Sequence, residues 1–234
     1  VRADGSLDTG EPTYLPRPWV GPLYGDLRLV CLAINMNENG GRLACEELVT
    51  EARERIREGC TRVKFKGAPR YAGTFLYHRM GSYAVEIAAH AGYVAPPPSG
   101  QKADLAQVAN AYDWLAYTNH VKCSARNGER SKPTPEMWEQ CGAFILRPEL
   151  ALLRPRTVLI LGSGQNAWFF SNHVVDQGTW NKPPPREGIL IGSAAIAGQS
   201  VRVIVVPHPA AFGGMALKHV MDLREALQGL PPAV

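Results

Sequence analysis

Residues 27–34 (Leu-Arg-Leu-Val-Cys-Leu-Ala-Ile) make a nearly continuous apolar run of strand length, the pattern of a strand buried on both faces. The run stops in Asn35-Met36-Asn37-Glu38-Asn39-Gly40-Gly41, residue types that favour a turn. Thr157–Leu161 and Val201–Val206 repeat the arrangement, the first opening onto Gly162-Ser163-Gly164 and the second onto Pro207-His208-Pro209. Tyr117–Val121 alternates enough to predict a shorter strand that carries Asn119 near its tip. Helical spacing lies between these runs. In Cys45–Glu58 the apolar residues Leu48, Ala52 and Ile56 recur every fourth position among charges, which predicts a surface helix stopped by Gly59. Further helices are expected over Tyr83–Ala91, from Gln165 onward and over about Met215–Leu227, and Pro96-Pro97-Pro98-Ser99-Gly100 is a break. Thr134 as N-cap, Pro135 at the first helical position and Glu136 beside the positive helix end predict a helix start that places Cys141 on that helix.

Apolar strands alternating with helices predict an α/β fold, a three-layer α/β/α sandwich with a central, mostly parallel sheet. Residues 1–26, rich in Pro and Gly, read as an irregular N-terminal arm, and residues 27–234 as a single domain. Open α/β sheets bind ligands beyond the carboxyl ends of their strands. That is where Asn35, Asn119, the Gly162 turn and His208 would fall.

Composition narrows the classes. The 234 residues hold 25 basic and 21 acidic side chains, a net charge of +4, which permits nucleic acid as a partner without demanding it. No apolar run approaches the roughly 20 residues that span a bilayer, and no basic-then-apolar leader opens the sequence. The expectation is a cytoplasmic protein without a membrane partner. Five cysteines at wide spacing do not form a secreted disulfide framework and suggest thiols or metal ligands.

Tyr117-Thr118-Asn119-His120-Val121-Lys122-Cys123 is followed by a basic loop, by Pro133-Thr134-Pro135-Glu136 and by Cys141. The series resembles the uracil-DNA glycosylase superfamily, closest to its iron–sulfur branch (family 4), where T-N-x-V-K-C, a basic Gly/Arg/Pro loop, P-x-P-E and a second cysteine follow one another. The resemblance spans about Leu27 to Leu227. It implies an enzyme that flips a damaged base out of DNA and hydrolyses the N-glycosidic bond. Ala33-Ile34-Asn35-Met36-Asn37 resembles the first catalytic motif, with Ile34 at the substrate and Asn35 holding the attacking water, although the motif's usual Gly and Pro are Ala33 and Met36 here. The alternative is an Asn-rich turn. Gly67-Ala68-Pro69-Arg70-Tyr71-Ala72-Gly73 is similar to the segment whose aromatic ring stacks on the flipped base, which assigns that role to Tyr71 or leaves it a core tyrosine. Asn119 both donates and accepts, so an amide locked in the right flip suits the O4 and N3–H edge of uracil and rejects cytosine. Pro207-His208-Pro209-Ala210-Ala211-Phe212-Gly213-Gly214 resembles the second catalytic motif. There His208 would donate to O2 as charge develops, and Phe212 and Gly213 would enter the minor groove. Lys122, Arg126, Arg130 and Lys132 are the implied phosphate contacts.

The iron–sulfur branch carries a C-x-x-C ahead of the first strand, and this chain has none there. Cys45, Cys60, Cys123 and Cys141 are the four thiolates that would hold a structural 4Fe–4S cluster, with zinc and free thiols as alternatives; Cys31 reads as a core residue. The expected partner is DNA containing a damaged base, bound by a monomer. Two other readings stay open: a non-catalytic nucleic-acid-binding protein on the same fold, and a glycosylase for a deaminated purine. Trp168, Asn172, His173, Asp176 and Trp180 either line a specific pocket or cover the sheet.

Overall fold

The computed structural model describes residues 18–35, 45–60, 74–121, 134–162, 164–180, 188–208 and 216–232. The apolar runs pair side by side. Strands β1 (Trp19–Val20), β2 (Leu29–Asn35), β3 (Leu115–Val121), β4 (Thr157–Leu161), β5 (Leu190–Ile196) and β6 (Gln199–Val206) form one sheet in the order β1-β3-β2-β4-β6-β5. The middle four are parallel, and an antiparallel strand closes each side. Helices α1 (Tyr24–Leu27), α2 (Cys45–Arg57), α3 (Thr74–His90), α4 (Leu105–Asn110), α5 (Pro135–Cys141), α6 (Arg147–Leu153), α7 (Gln165–His173) and α8 (Ala216–Gln228) accompany it.

Side chains alternate across the pleat, so each central strand feeds two cores. Cys31, Ala33, Tyr117, Leu161 and Val206 belong to the core covered by α2, α3, α4 and α8. Val30, Leu32, Ala116, Ile160 and Val205 belong to the core under α6 and α7. The sandwich expected from the sequence is the architecture found. On α2 the predicted stripe is buried at Leu48, Ala52 and Ile56, and Gly59 follows the helix at φ 84°, a left-handed conformation that costs glycine little. Thr134 caps α5 as predicted, its Oγ1 accepting from the Met137 N–H at 3.3 Å, with Pro135 in the first turn.

Several elements depart from the sequence reading: β1, β5, α1, α4 and α6 had no counterpart in it, and α3 is longer than expected. Helix α3 begins at Thr74, nine residues before the predicted start at Tyr83. Arg79, Ser82 and Glu86 are buried on it, so polar positions interrupt the apolar period that marks a core-facing helix. Glu86 is matched by Arg224 of α8, which donates from Nε at 2.7 Å and Nη2 at 2.8 Å, a fork that makes burial of the carboxylate tolerable. Strand β6 was expected from Val201–Val206, but β5 and the hairpin turn that joins them were not. That turn is Ala197-Gly198, both at positive φ (50° and 76°), the geometry usually announced by Asn-Gly. Asp176 supplies the missing stabilisation from outside the turn, accepting from the Ala197 N–H at 3.1 Å, the Gly198 N–H at 2.7 Å and Arg147 at 2.6 Å. Of the N-terminal arm, residues 18–26 are described, and Trp19 and Val20 pair with Tyr117 and Ala116 of β3.

Candidate active site

All four parallel strands end at one edge of the sheet, here called the carboxyl edge. Register places the candidate residues along it. Ala33 pairs with Asn119 and Asn35 with Val121, while Leu32 pairs with Ile160 and Leu161 with Val206. Asn119, Ala33, Leu161 and Val206 therefore lie at one level. Asn35 and His208 each stand two residues beyond that level, on strands two steps apart, roughly 10 Å across the sheet at about 4.8 Å per strand. The topology thus brings the Asn35, Asn119 and His208 positions to one edge.

Asn119 is fully buried in the strand. Its partner across the β2 pairing, Ala33, belongs to the apolar core, so a hydrogen bond made here acts in a low dielectric. The Tyr117 hydroxyl lies 3.4 Å from Asn119 Oδ1. Among the described residues Asn119 Nδ2 has no hydrogen-bond partner. A buried amide donor left unmatched costs about 1–3 kcal/mol. Tyr117 is held in turn by the Tyr77 ring of α3, edge-on at 5.7 Å, and the Tyr112 hydroxyl donates to the Tyr77 carbonyl at 2.7 Å.

His208 follows β6 after Pro207 and is partly buried. Burial holds its imidazole below the ordinary histidine pKa, so the ring is neutral at neutral pH. A neutral ring keeps one N–H to give and adds no positive charge to an apolar edge.

The opposite face of β3 was not singled out by the sequence reading. There His120 and Thr118 are fully buried. Asn166 of α7 donates Nδ2 to the Leu161 carbonyl at 3.3 Å, which turns its Oδ1 toward His120 Nδ1 at 3.2 Å. Because Oδ1 only accepts, Nδ1 carries the proton. Trp138 packs edge-on against the His120 ring at 4.6 Å and stacks on Phe169 at 4.9 Å. Gly142 opens a π turn over Gly142–Leu146, and a Cβ there would come within 3.0 Å of His120 Nε2, so glycine lets this segment reach the strand. The signal for this layer was the even positions of β3, polar yet inside a buried strand.

The region from 165 to 180 covers the sheet rather than lining the carboxyl edge near Asn119. Trp180 packs against Phe170, His173 lies against Phe169, and Asp176 braces the hairpin. Trp168 is about half exposed.

The remaining candidates divide into two groups. Tyr71, Lys122, Cys123, Arg126, Arg130, Lys132, Phe212 and Gly213 lie outside the described residues. For Ile34, Asn35 and Cys45 the structure describes the backbone element alone. The two remaining proposed thiols are widely separated. Cys60 follows α2, whose last turns meet Asn110 and Asp113 ahead of β3, at the amino edge and on the Asn119 side. Cys141 is buried with Val121, Trp138 and Phe169, at the carboxyl edge and on the His120 side. As placed, Cys60 and Cys141 do not share a site. Among the described residues no three His, Cys, Asp or Glu side chains are grouped as a metal site requires. Nor is any described helix long and apolar enough to cross a membrane.

No curated protein matches the sequence. A family model described as the uracil DNA glycosylase superfamily matches residues 49–230, more than three quarters of the chain. Since that match runs from α2 to beyond α8 and takes in the strands that carry Asn119 and lead to His208, the chain belongs to the uracil-DNA glycosylase superfamily.

Proposed function

We propose that this chain is a monofunctional DNA glycosylase that removes uracil, or another deaminated base, from DNA by hydrolysing the N-glycosidic bond. Membership of the superfamily suggests DNA glycosylase activity, and its members generally are hydrolases of this kind. The observation that carries the reading is Asn119, a fully buried amide whose Nδ2 has no partner among the described residues and which lies near the carboxyl edge of the sheet, where open α/β sheets bind ligands.

In this reading the damaged base leaves the stack, lies on Tyr71 and presents its edge to Asn119. Nδ2–H donates to O4, and Oδ1 accepts from N3–H. A water held by Asn35 attacks C1′ as the C1′–N1 bond breaks, the bonding pair leaves with the base, and the water's second proton passes to solvent. Negative charge then develops on the uracil ring. The neutral imidazole of His208 donates to O2, an interaction that strengthens in the transition state and therefore raises the rate rather than the affinity alone. Phe212 and Gly213 enter the groove, and Lys122, Arg126, Arg130 and Lys132 meet phosphates, which makes binding salt-dependent.

The reaction as proposed runs through none of the cysteines. A 4Fe–4S cluster or a zinc ion on Cys45, Cys60, Cys123 and Cys141 is a separate proposal. It requires residue 60 or 141 to leave its present place, and iron, sulfide and zinc analysis of the purified protein decides it.

The deciding experiment measures free uracil and abasic product from a uracil-containing oligonucleotide, with wild-type protein and with His208→Ala. Release by the wild type and a loss of about a hundredfold or more in the variant are expected. An oligonucleotide bound without abasic product would favour a non-catalytic binding role, and an undiminished His208→Ala rate would remove the histidine from the mechanism.

A further inference from the structure

We propose that Tyr117 is a specificity-positioning residue: its hydroxyl fixes the flip of the Asn119 amide, so that the site accepts bases with a carbonyl beside a ring N–H and refuses bases with an amino group there. The inference rests on the glycosylase reading and extends it to a residue two positions earlier on the same strand.

An asparagine amide is nearly symmetric in shape, and its two orientations recognise opposite patterns. With Nδ2 forward it reads the acceptor–donor pair of uracil; rotated by half a turn it would read the donor–acceptor pair of cytosine. Something must hold one orientation, and Ala33, the partner of Asn119 across the β2 pairing, has no side-chain group that does so. Tyr117 does. Residues i and i+2 of a strand share a face, and here the Tyr117 hydroxyl reaches Asn119 Oδ1 at 3.4 Å. By donating to Oδ1 it occupies one lone pair, leaves the second for a ring N–H and leaves Nδ2 as the open donor. The rotated amide would give up that bond unless the hydroxyl also turned to accept.

Tyr117 is itself kept from swinging. It is buried, its backbone pairs with Cys31 of β2 and Trp19 of β1, and the Tyr77 ring stands edge-on against it. The lock therefore belongs to the folded chain before any base arrives, and its orientation cost falls on folding rather than on binding. Uracil, hypoxanthine and xanthine all show the carbonyl and N–H pair, so the lock defines a class of deaminated bases. Thymine and guanine show it too, and their exclusion must lie elsewhere in the pocket.

The test compares wild type, Tyr117→Phe and Tyr112→Phe. Excision rates are measured on oligonucleotides containing uracil or hypoxanthine, inhibition constants are measured for free uracil and free cytosine, and thermal melting is recorded for each protein. Tyr117→Phe keeps the ring and removes the hydroxyl. Its preference for uracil over cytosine is expected to fall about tenfold, the size of one hydrogen bond of about 1.4 kcal/mol, while melting stays near wild type. Tyr112→Phe removes a neighbouring hydroxyl that bonds only the Tyr77 carbonyl among the described residues, so it should lower stability and leave the preference intact. An active Tyr117→Phe protein with unchanged preference overturns the assignment of Tyr117 alone, as does an equal change of preference in Tyr112→Phe. Wild-type protein that neither releases nor binds uracil overturns the glycosylase reading together with it.

Discussion

On one face of β3 each buried polar side chain gives a donor to a side chain of another element. Thr118 donates to Glu149 at 2.6 Å, and His120 meets Asn166 at 3.2 Å, whose own amide nitrogen is spent on the end of β4. On the other face Asn119, equally buried, is engaged at Oδ1 and has no described partner at Nδ2. Strand, depth and burial are the same, so solvent access does not explain the contrast. A buried donor is stabilising or neutral when it is matched and costly when it is not. The even positions therefore hold the α5–α7 layer to the sheet. The odd position keeps a donor in reserve, and such reserve is what a binding site costs the fold.

Substitution at Asn119 breaks the comparison most sharply. Asn119→Ala is expected to reduce base excision about a hundredfold or more, because the base edge then meets no matched donor and acceptor in a low dielectric. Its stability should hold or rise, since an unsatisfied donor disappears with the side chain. Steady-state excision on a uracil oligonucleotide, set beside a urea midpoint, checks both halves; a large loss of stability would mean that Asn119 is as structural as its neighbours.

The mirror experiment is Asn166→Ala. It leaves the Leu161 carbonyl and His120 Nδ1 without their partner at once, and a cost of about 2–4 kcal/mol is expected in urea unfolding. Thr118→Val, nearly isosteric, removes one hydroxyl donor from the Glu149 carboxylate and should cost about 1–2 kcal/mol. Neither change touches the proposed base contact. Excision per folded molecule should therefore stay within about threefold of wild type for both, and a larger fall would place the even face in the catalytic machinery.

The same contrast shows how far the sequence could be read. Apolar runs announced β2, β4 and β6, because strands buried on both faces need no polar alternation, and the ends of those runs located the carboxyl edge. Asn119 could be singled out as a candidate because a motif surrounds it. Tyr117 was legible only in principle, since period-two alternation puts it on the Asn119 face but nothing in a tyrosine says where its hydroxyl ends. His120–Asn166 was hidden because its partners lie 46 residues apart and meet only through the packing of α7 on the sheet. The Ala197-Gly198 turn was hidden for a related reason, its stabilising carboxylate, Asp176, being 21 residues away from Ala197. Likewise, cysteine counting could propose four ligands but could not see that Cys60 and Cys141 belong to opposite edges and faces.

A smaller effect separates the two layers by pH. His78 of α3, in the layer on the Asn119 side, is held down to about 4 by burial and then by the positive charges of Lys102 and Arg79, and burial also lowers His208. In the unfolded chain both histidines take up a proton near the ordinary value of about 6.5. Between that pH and the lowered folded values the unfolded state binds more protons than the folded one, so folding stability is greatest above about 6.5 and falls as the pH drops toward 4. His78→Gln removes the better-defined of the two proton sinks without adding a charge. Its urea midpoint should accordingly decline less steeply than wild type between pH 6.5 and 4 and change little at pH 7.5 beyond a constant offset. His208→Gln should flatten the same limb and in addition lower excision at pH 7.5, where the wild-type ring is already neutral. If His78→Gln reproduced the wild-type acid limb, the acid loss would have to come from His208 or from carboxylates, and His78 would not be the group in the layer beside Asn119 that resists protonation.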